Sequence, residues 1–157
     1  MGVSFEDLEV GARKEIGAHT FTHEEIVEFA TRYDPQPFHV DEIAAHASPY
    51  CGLIASGWHT CSVLMSIFVH KMLEGSTSMG SPGVDEIRWV KPVRPGDTIH
   101  LFISVLDKRV LASRPDRGIA SMLWEGVNQA GETAVSVRSK VIFGLRGEQP
   151  DASGAPA

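Results

Sequence analysis

The segment from about Ser56 to Leu73 constrains the fold more than any other part of this chain. Ile54, Trp58, Cys61, Met65, Phe68 and Met72 recur at helical spacing, and Leu64, Ile67 and Val69 widen the stripe until little of the circumference is polar. A helix that is apolar nearly all round is buried nearly all round. This one therefore needs a sheet wrapped about it, and Trp58, Met65 and Phe68 are expected in the core.

The second half of the chain supplies strand candidates at Gly83–Val93, Thr98–Lys108, Gly118–Asn128 and Glu132–Phe143. Ile99, Leu101, Ile103 and Val105 alternate in one of them, and Val135, Val137, Val141 and Phe143 in another. Turn chemistry falls at Arg94-Pro95-Gly96-Asp97, at Arg114-Pro115-Asp116-Arg117-Gly118 and at Asn128-Gln129-Ala130-Gly131. Short turns between consecutive strands predict an antiparallel meander. Upstream, Ala12–Thr20 reads as a first strand, and Thr22-His23-Glu24-Glu25 is a capping box opening a helix. That helix buries Ile26, Phe29, Ala30 and Tyr33 and stops before Pro35, because a residue preceding proline avoids the α region. A short helix follows over Asp41–Ala47. One strand, a buried helix and then a run of strands is the α+β order of a hot-dog fold, with about five antiparallel strands around the central helix.

With 157 residues the chain suits one domain, expected over 1–146, with 147–157, rich in Gly, Pro, Ala and Ser, as a disordered tail. A net charge of -6 argues against a nucleic-acid partner, which would want a basic face. Cys51 and Cys61 give no disulfide framework, so both are read as reduced and the protein as cytoplasmic. The segment from Met1 to Asp7 lacks the basic and apolar regions of a secretory signal, and no apolar run reaches the ~20 residues that span a bilayer.

The chemistry concentrates in two blocks. Asp34-Pro35-Gln36-Pro37-Phe38-His39 sets a carboxylate and an imidazole on a proline-stiffened loop, and Ser56-Gly57 opens the central helix. A carboxylate, a histidine and a free helix N-terminus can together move a proton and hold a developing oxyanion. Singly each has a plainer reading: Asp34 as a helix-ending Asp-Pro turn, His39 as a satisfied loop histidine, Ser56 as an N-cap before a small packing residue. His19, His23, His46, His59, His70 and His100 show no ligand spacing with cysteine or carboxylate, so no structural zinc is expected. There is no nucleophile elbow and no dinucleotide or Walker loop.

These blocks resemble the MaoC-like, R-specific enoyl-CoA hydratase branch of the hot-dog superfamily. The family's Asp-x-Asn-Pro-x-His loop is answered by Asp34 to His39, with Gln36 in place of the usual asparagine. Its His-Gly or Ser-Gly helix opening is answered by Ser56-Gly57, and its Pro-Val-x-x-Gly-Asp strand end by Pro92-Val93-Arg94-Pro95-Gly96-Asp97. The similarity runs from about Leu8 to Phe143. It implies addition of water to a trans-2-enoyl thioester, or the reverse, with Asp34 and His39 catalytic and the Gly57 amide receiving the oxyanion. It further implies substrate contacts from Ser56, Gly57 and Ser62, the last matching a serine that lines the acyl pocket of relatives. The implied substrate is an acyl-CoA or an acyl-carrier thioester, with no metal and no cofactor beyond that carrier portion. The resemblance also implies a two-fold homodimer or a dimer of dimers. Arg88, Lys91 and Arg94 could meet CoA phosphates, though a solvated strand edge explains them as well. Two rival readings stand beside this one: an acyl-CoA thioesterase, which would want a carboxylate on the central helix, and a non-catalytic acyl-binding subunit.

Overall fold

Burial on the sheet follows the alternation of the strands. Ile99, Leu101, Ile103 and Val105 all face inward, as do Val135, Val137, Val141 and Phe143, with Ser139 taking the one inward polar place among them. The computed structural model describes residues 2–147, so the expected tail lies outside the described residues except for Gly147. After a short 3-10 turn at Phe5–Asp7 come β1 (Arg13–Thr20), α1 (His23–Tyr33), α2 (Pro37–Val40), α3 (Glu42–His46) and α4 (Gly57–Phe68). The sheet is completed by β2 (Gly83–Trp89), β3 (Thr98–Leu111), β4 (Arg114–Val127) and β5 (Thr133–Gly144). These make one 5-stranded antiparallel sheet in the order β1-β3-β4-β5-β2. It is an α+β hot-dog arrangement, with α4 packed on the sheet through Leu64, beside Gly126, and Phe68, against Trp124.

Leu64 and Phe68 are the α4 side chains driven deepest, at 0% and 1% exposure. Gly126 of β4 lets the helix settle there: a Cβ at that position would stand 2.6 Å from Val135, 3.0 Å from Ile99 and 3.1 Å from Leu64. Past Phe68 the helix widens into a π-helical turn over Val69–Leu73. Among the described residues no helix is long and apolar enough to cross a membrane.

Four expectations need correction, the smallest being Tyr33, expected on the buried face of α1 and in fact 70% exposed at its last turn. The meander holds for β3, β4 and β5, but β2 does not join it beside β3; it crosses to pair with β5. The link between β2 and β3 contains Pro92 and Pro95, which cannot donate to a ladder, and its backbone is used elsewhere: the Val93 carbonyl accepts the Ala55 amide at 2.8 Å. Second, the β3–β4 turn is the dipeptide Ala112-Ser113, and Arg114 to Gly118 lie within β4 as an irregular stretch of the pairing. Third, α4 is not buried all round. Trp58 is 56% and Met65 42% exposed, so the stripe through Trp58, Cys61 and Met65 borders the open side, and only Phe68 of the three expected core residues is enclosed.

The tight seat at Gly126 makes Gly126→Val an overpacking change. It should lower unfolding free energy by about 1–3 kcal/mol, read as a reduced urea midpoint at unchanged m-value.

Candidate active site

α1 ends because Pro35 follows, and its last amide bond, from Asp34 N–H to the Ala30 carbonyl at 2.9 Å, leaves the Asp34 side chain at the helix mouth. The Gln36 amide then turns back onto the Asp34 carbonyl at 2.8 Å, and Pro37 starts α2 at a position where its missing N–H costs nothing. α2 presents His39. The strand-like segment before α4 runs beside it: the Ile54 N–H donates to the Phe38 carbonyl at 3.1 Å, and His39 Nδ1–H donates to the Ile54 carbonyl at 2.7 Å.

That last bond fixes the tautomer. A carbonyl only accepts, so Nδ1 carries the proton and Nε2 is the atom free to gain or lose one. Nε2 faces Asp34 Oδ2 at 3.3 Å, with the His39 side chain 6% and the Asp34 side chain 19% exposed. Ser56 donates its hydroxyl to the same oxygen at 2.7 Å, and Gln36 Nε2 donates to Oδ1 at 2.8 Å. Burial pushes the Asp34 carboxyl upward, but the hydrogen bonds from Ser56 and Gln36 and the nearby His39 together outweigh it and hold the group below its ordinary range. Gln36 thus tethers the loop through its amide.

Ser56 is fully buried and stands at the N-cap of α4, yet its side chain caps nothing, because the hydroxyl is given to Asp34. The first-turn amides of α4 have no intrahelical acceptor, and the Gly57 N–H has no partner among the described residues. These amides, with the positive end of the helix dipole behind them, border a cavity of about 450 Å³. Asp34, Gln36, His39, Gly57 and Thr60 form its polar side, and Trp58, Trp89, Val93 and Val135 are among its apolar walls. The structure therefore brings Asp34, His39 and Gly57 to one cavity, with Ser56 directly behind Asp34.

Ser62 is not brought there. It is exposed, and its hydroxyl bonds the Trp58 carbonyl one turn back at 2.7 Å. On a helix Ser62 lies about 140° round from Gly57, whereas Thr60 lies about 60° away, at roughly 100° per residue. Helical spacing would have singled out Thr60, which is buried at the cavity wall. Trp89 also escaped the sequence reading, since nothing local marks it. Its indole rests on Gly57 so closely that a Cβ there would stand 2.3 Å from Nε1. Arg94 is occupied: its Nη2 donates to the Tyr50 carbonyl at 2.7 Å, bracing the loop before α4. Arg88 is paired with Glu86 at 2.8 Å, and Lys91 with Glu132. The Pro92–Asp97 block is a clasp of the same kind: the Asp97 side chain accepts the Arg94 amide, the Asp97 carbonyl accepts the Phe21 amide, and the Gly96 amide donates to the Phe21 carbonyl.

A family model described as "MaoC like domain" matches residues 8–122. The chain belongs to the MaoC-like domain family. It is 31% identical over 106 residues to an uncharacterized protein, YdeM, of Bacillus subtilis, covering 68% of this chain and 74% of that protein. Among solved structures, a MaoC-like dehydratase from Rhodospirillum rubrum is 39% identical with a TM-score of 0.86, over 94% of this chain and all of that one. An R-hydratase from A. caviae involved in PHA biosynthesis is 25% identical with a TM-score of 0.69, over 89% of this chain and 98% of that one. At the level of the MaoC-like family, the activity is hydration or dehydration.

The depressed Asp34 pKa fixes the sign of one pH effect. The unfolded chain takes up that proton near pH ~4, before the folded chain does, so the stability Asp34 contributes is present above that pH and lost as pH falls further. Other carboxylates act the same way, so Asp34→Asn should flatten, not abolish, the fall in unfolding free energy between about pH 4 and pH 2, measured by urea titration at each pH.

Proposed function

We propose that this MaoC-like domain interconverts a trans-2-enoyl thioester and the R-3-hydroxyacyl thioester, with Asp34 and His39 handling the water and the Gly57 amide receiving the oxyanion. The observation that carries this reading is the single cavity in which an Asp–His pair faces an uncapped helix N-terminus. Conjugation with the thioester carbonyl makes C3 electrophilic. Water held against Asp34 and His39 attacks C3; the C2–C3 π pair moves toward the carbonyl oxygen, which becomes an enolate at the first turn of α4. Asp34 is held ionised by Ser56 and Gln36, so the water's proton goes to His39 Nε2, and a proton is returned from the pair to C2 as the carbonyl re-forms. One water is added, and both residues end as they began.

A thioesterase reading finds less support, because α4 carries no acidic residue in its first turn. A purely acyl-binding role would not call for Ser56 to abandon its cap for Asp34. The substrate carrier is a CoA or an acyl-carrier thioester, and the expected setting is the cytoplasm. Assembly as a two-fold homodimer, or a dimer of dimers, fits the exposed Trp58 and Met65 of α4 and the exposed Val84, Trp89 and Val90 on and beside the β2 edge.

Crotonyl-CoA should lose its enoyl absorbance when the protein is added, without release of free thiol. Asp34→Asn and His39→Ala should each lower kcat by ~10² or more while leaving the fold intact by circular dichroism. Wild-type turnover in either variant would remove that residue from the mechanism. Sedimentation at micromolar protein should give at least a dimer.

A further inference from the structure

A second acid–imidazole cluster lies behind the first turn of α4. The His59 side chain is 7% exposed, and its Nε2 is 3.5 Å from Glu25 Oε1. The same oxygen accepts a 2.7 Å contact from His19 Nε2, while the Thr22 hydroxyl donates to Glu25 Oε2 at 3.2 Å. The His59 ring stacks on Phe29 of α1, with centroids 4.8 Å apart and planes at 12°, and Phe21 meets it edge-on at 5.1 Å. His59 Nδ1 is buried with no hydrogen-bond partner among the described residues.

These contacts define the protonation state. Glu25 is ionised: burial pushes it up, but His19 and Thr22 more than reverse that. Nδ1 is enclosed with nothing to donate to, whereas Nε2 points toward Glu25, so the ring's one proton is placed on Nε2 and Nδ1 is a bare lone pair. A second proton on Nδ1 would have no acceptor, and it would place a buried positive charge at the positive end of α4. Burial accordingly pushes the His59 pKa down. His59 is not poised for proton transfer, and it is absent from the cavity wall.

Its location suggests another task. α1 carries Glu25 in its first turn and Asp34 at its C-cap; α4 carries Gly57 and His59 in its first turn. A helix is a stiff spacer, so whatever holds α1 against the start of α4 also sets Asp34 relative to the Gly57 amide. We propose that His59 is a positioning residue, clamped between Glu25 and Phe29, that holds the oxyanion-binding turn of α4 in register with Asp34. This rests on the hydratase reading for its catalytic consequence, though not for its structural one.

The variants are His59→Phe, which keeps the ring stack and loses the donor, and His59→Gln, which keeps a neutral donor toward Glu25. With crotonyl-CoA, His59→Phe should lower kcat ~10-fold or more with KM nearly unchanged, since small misplacements of a catalytic group are costly, and His59→Gln should recover much of that loss. Amide exchange over residues 57–64 should quicken in His59→Phe and return toward wild type in His59→Gln. A His59→Phe protein with wild-type kcat and wild-type exchange in that segment overturns the clamp, as does equal loss in both variants. If the wild-type protein hydrates no enoyl-CoA, the hydratase reading falls by itself, and the exchange comparison alone decides for or against the clamp.

Discussion

The candidate site depends on the backbone of one residue, Ile54. Its amide donates to Phe38 and its carbonyl accepts from His39, so a single peptide segment is stitched to α2 on both of its polar groups. Without that stitch the prolyl loop and the start of α4 would be two unrelated surface features. With it, the His39 ring is oriented, its tautomer is set, and Ser56 is delivered to Asp34. The next residue, Ala55, is held in turn by the Val93 carbonyl, so the crossing link between β2 and β3 acts as the outer brace of the same assembly.

Ser56 shows what the arrangement gives up. A serine at an N-cap ordinarily satisfies a first-turn amide, and losing such a cap costs about 1 kcal/mol. Here the hydroxyl is buried and spent on a carboxylate instead, leaving the helix mouth open toward the cavity. A rule of local structure is broken at the point where the proposed reaction wants an anion-binding amide, which is where functional sites commonly depart from local preference.

Much of the fold was legible in the sequence because inward and outward positions alternate over 98–105 of β3 and 135–143 of β5, and because Thr22-Glu25 and Pro35 bracket α1. The order of the strands was not, since nothing in residues 83–89 says which neighbour they choose; two prolines and the demand of Ala55 for a carbonyl decide it. The α4 stripe was misjudged for a related reason. Trp58, Cys61 and Met65 are apolar, but apolarity alone does not distinguish a face turned to the sheet from one left open in a single chain. Asp34, His39 and Gly57 could be singled out because they sit beside proline and at a helix mouth, where backbone geometry is dictated locally. Trp89 reaches the cavity only through tertiary placement, whereas the angular count that turns Ser62, read from resemblance, away from Gly57 brings Thr60 to its side.

The two buried acid–imidazole pairs on α1 explain each other. His39 and His59 both face a carboxylate held below its ordinary range, Asp34 by Ser56 and Gln36 and Glu25 by His19 and Thr22, and both rings are nearly enclosed. They differ at the second nitrogen. His39 Nδ1–H has the Ile54 carbonyl to donate to, so a proton arriving at Nε2 yields an imidazolium with both donors answered. His59 Nδ1 has nothing, so a second proton there would be a buried, unanswered donor. One hydrogen-bond acceptor therefore distinguishes the two rings, and it is the one with an acceptor behind it that the proposed hydration employs. The chain has put the first against the cavity and the second behind it.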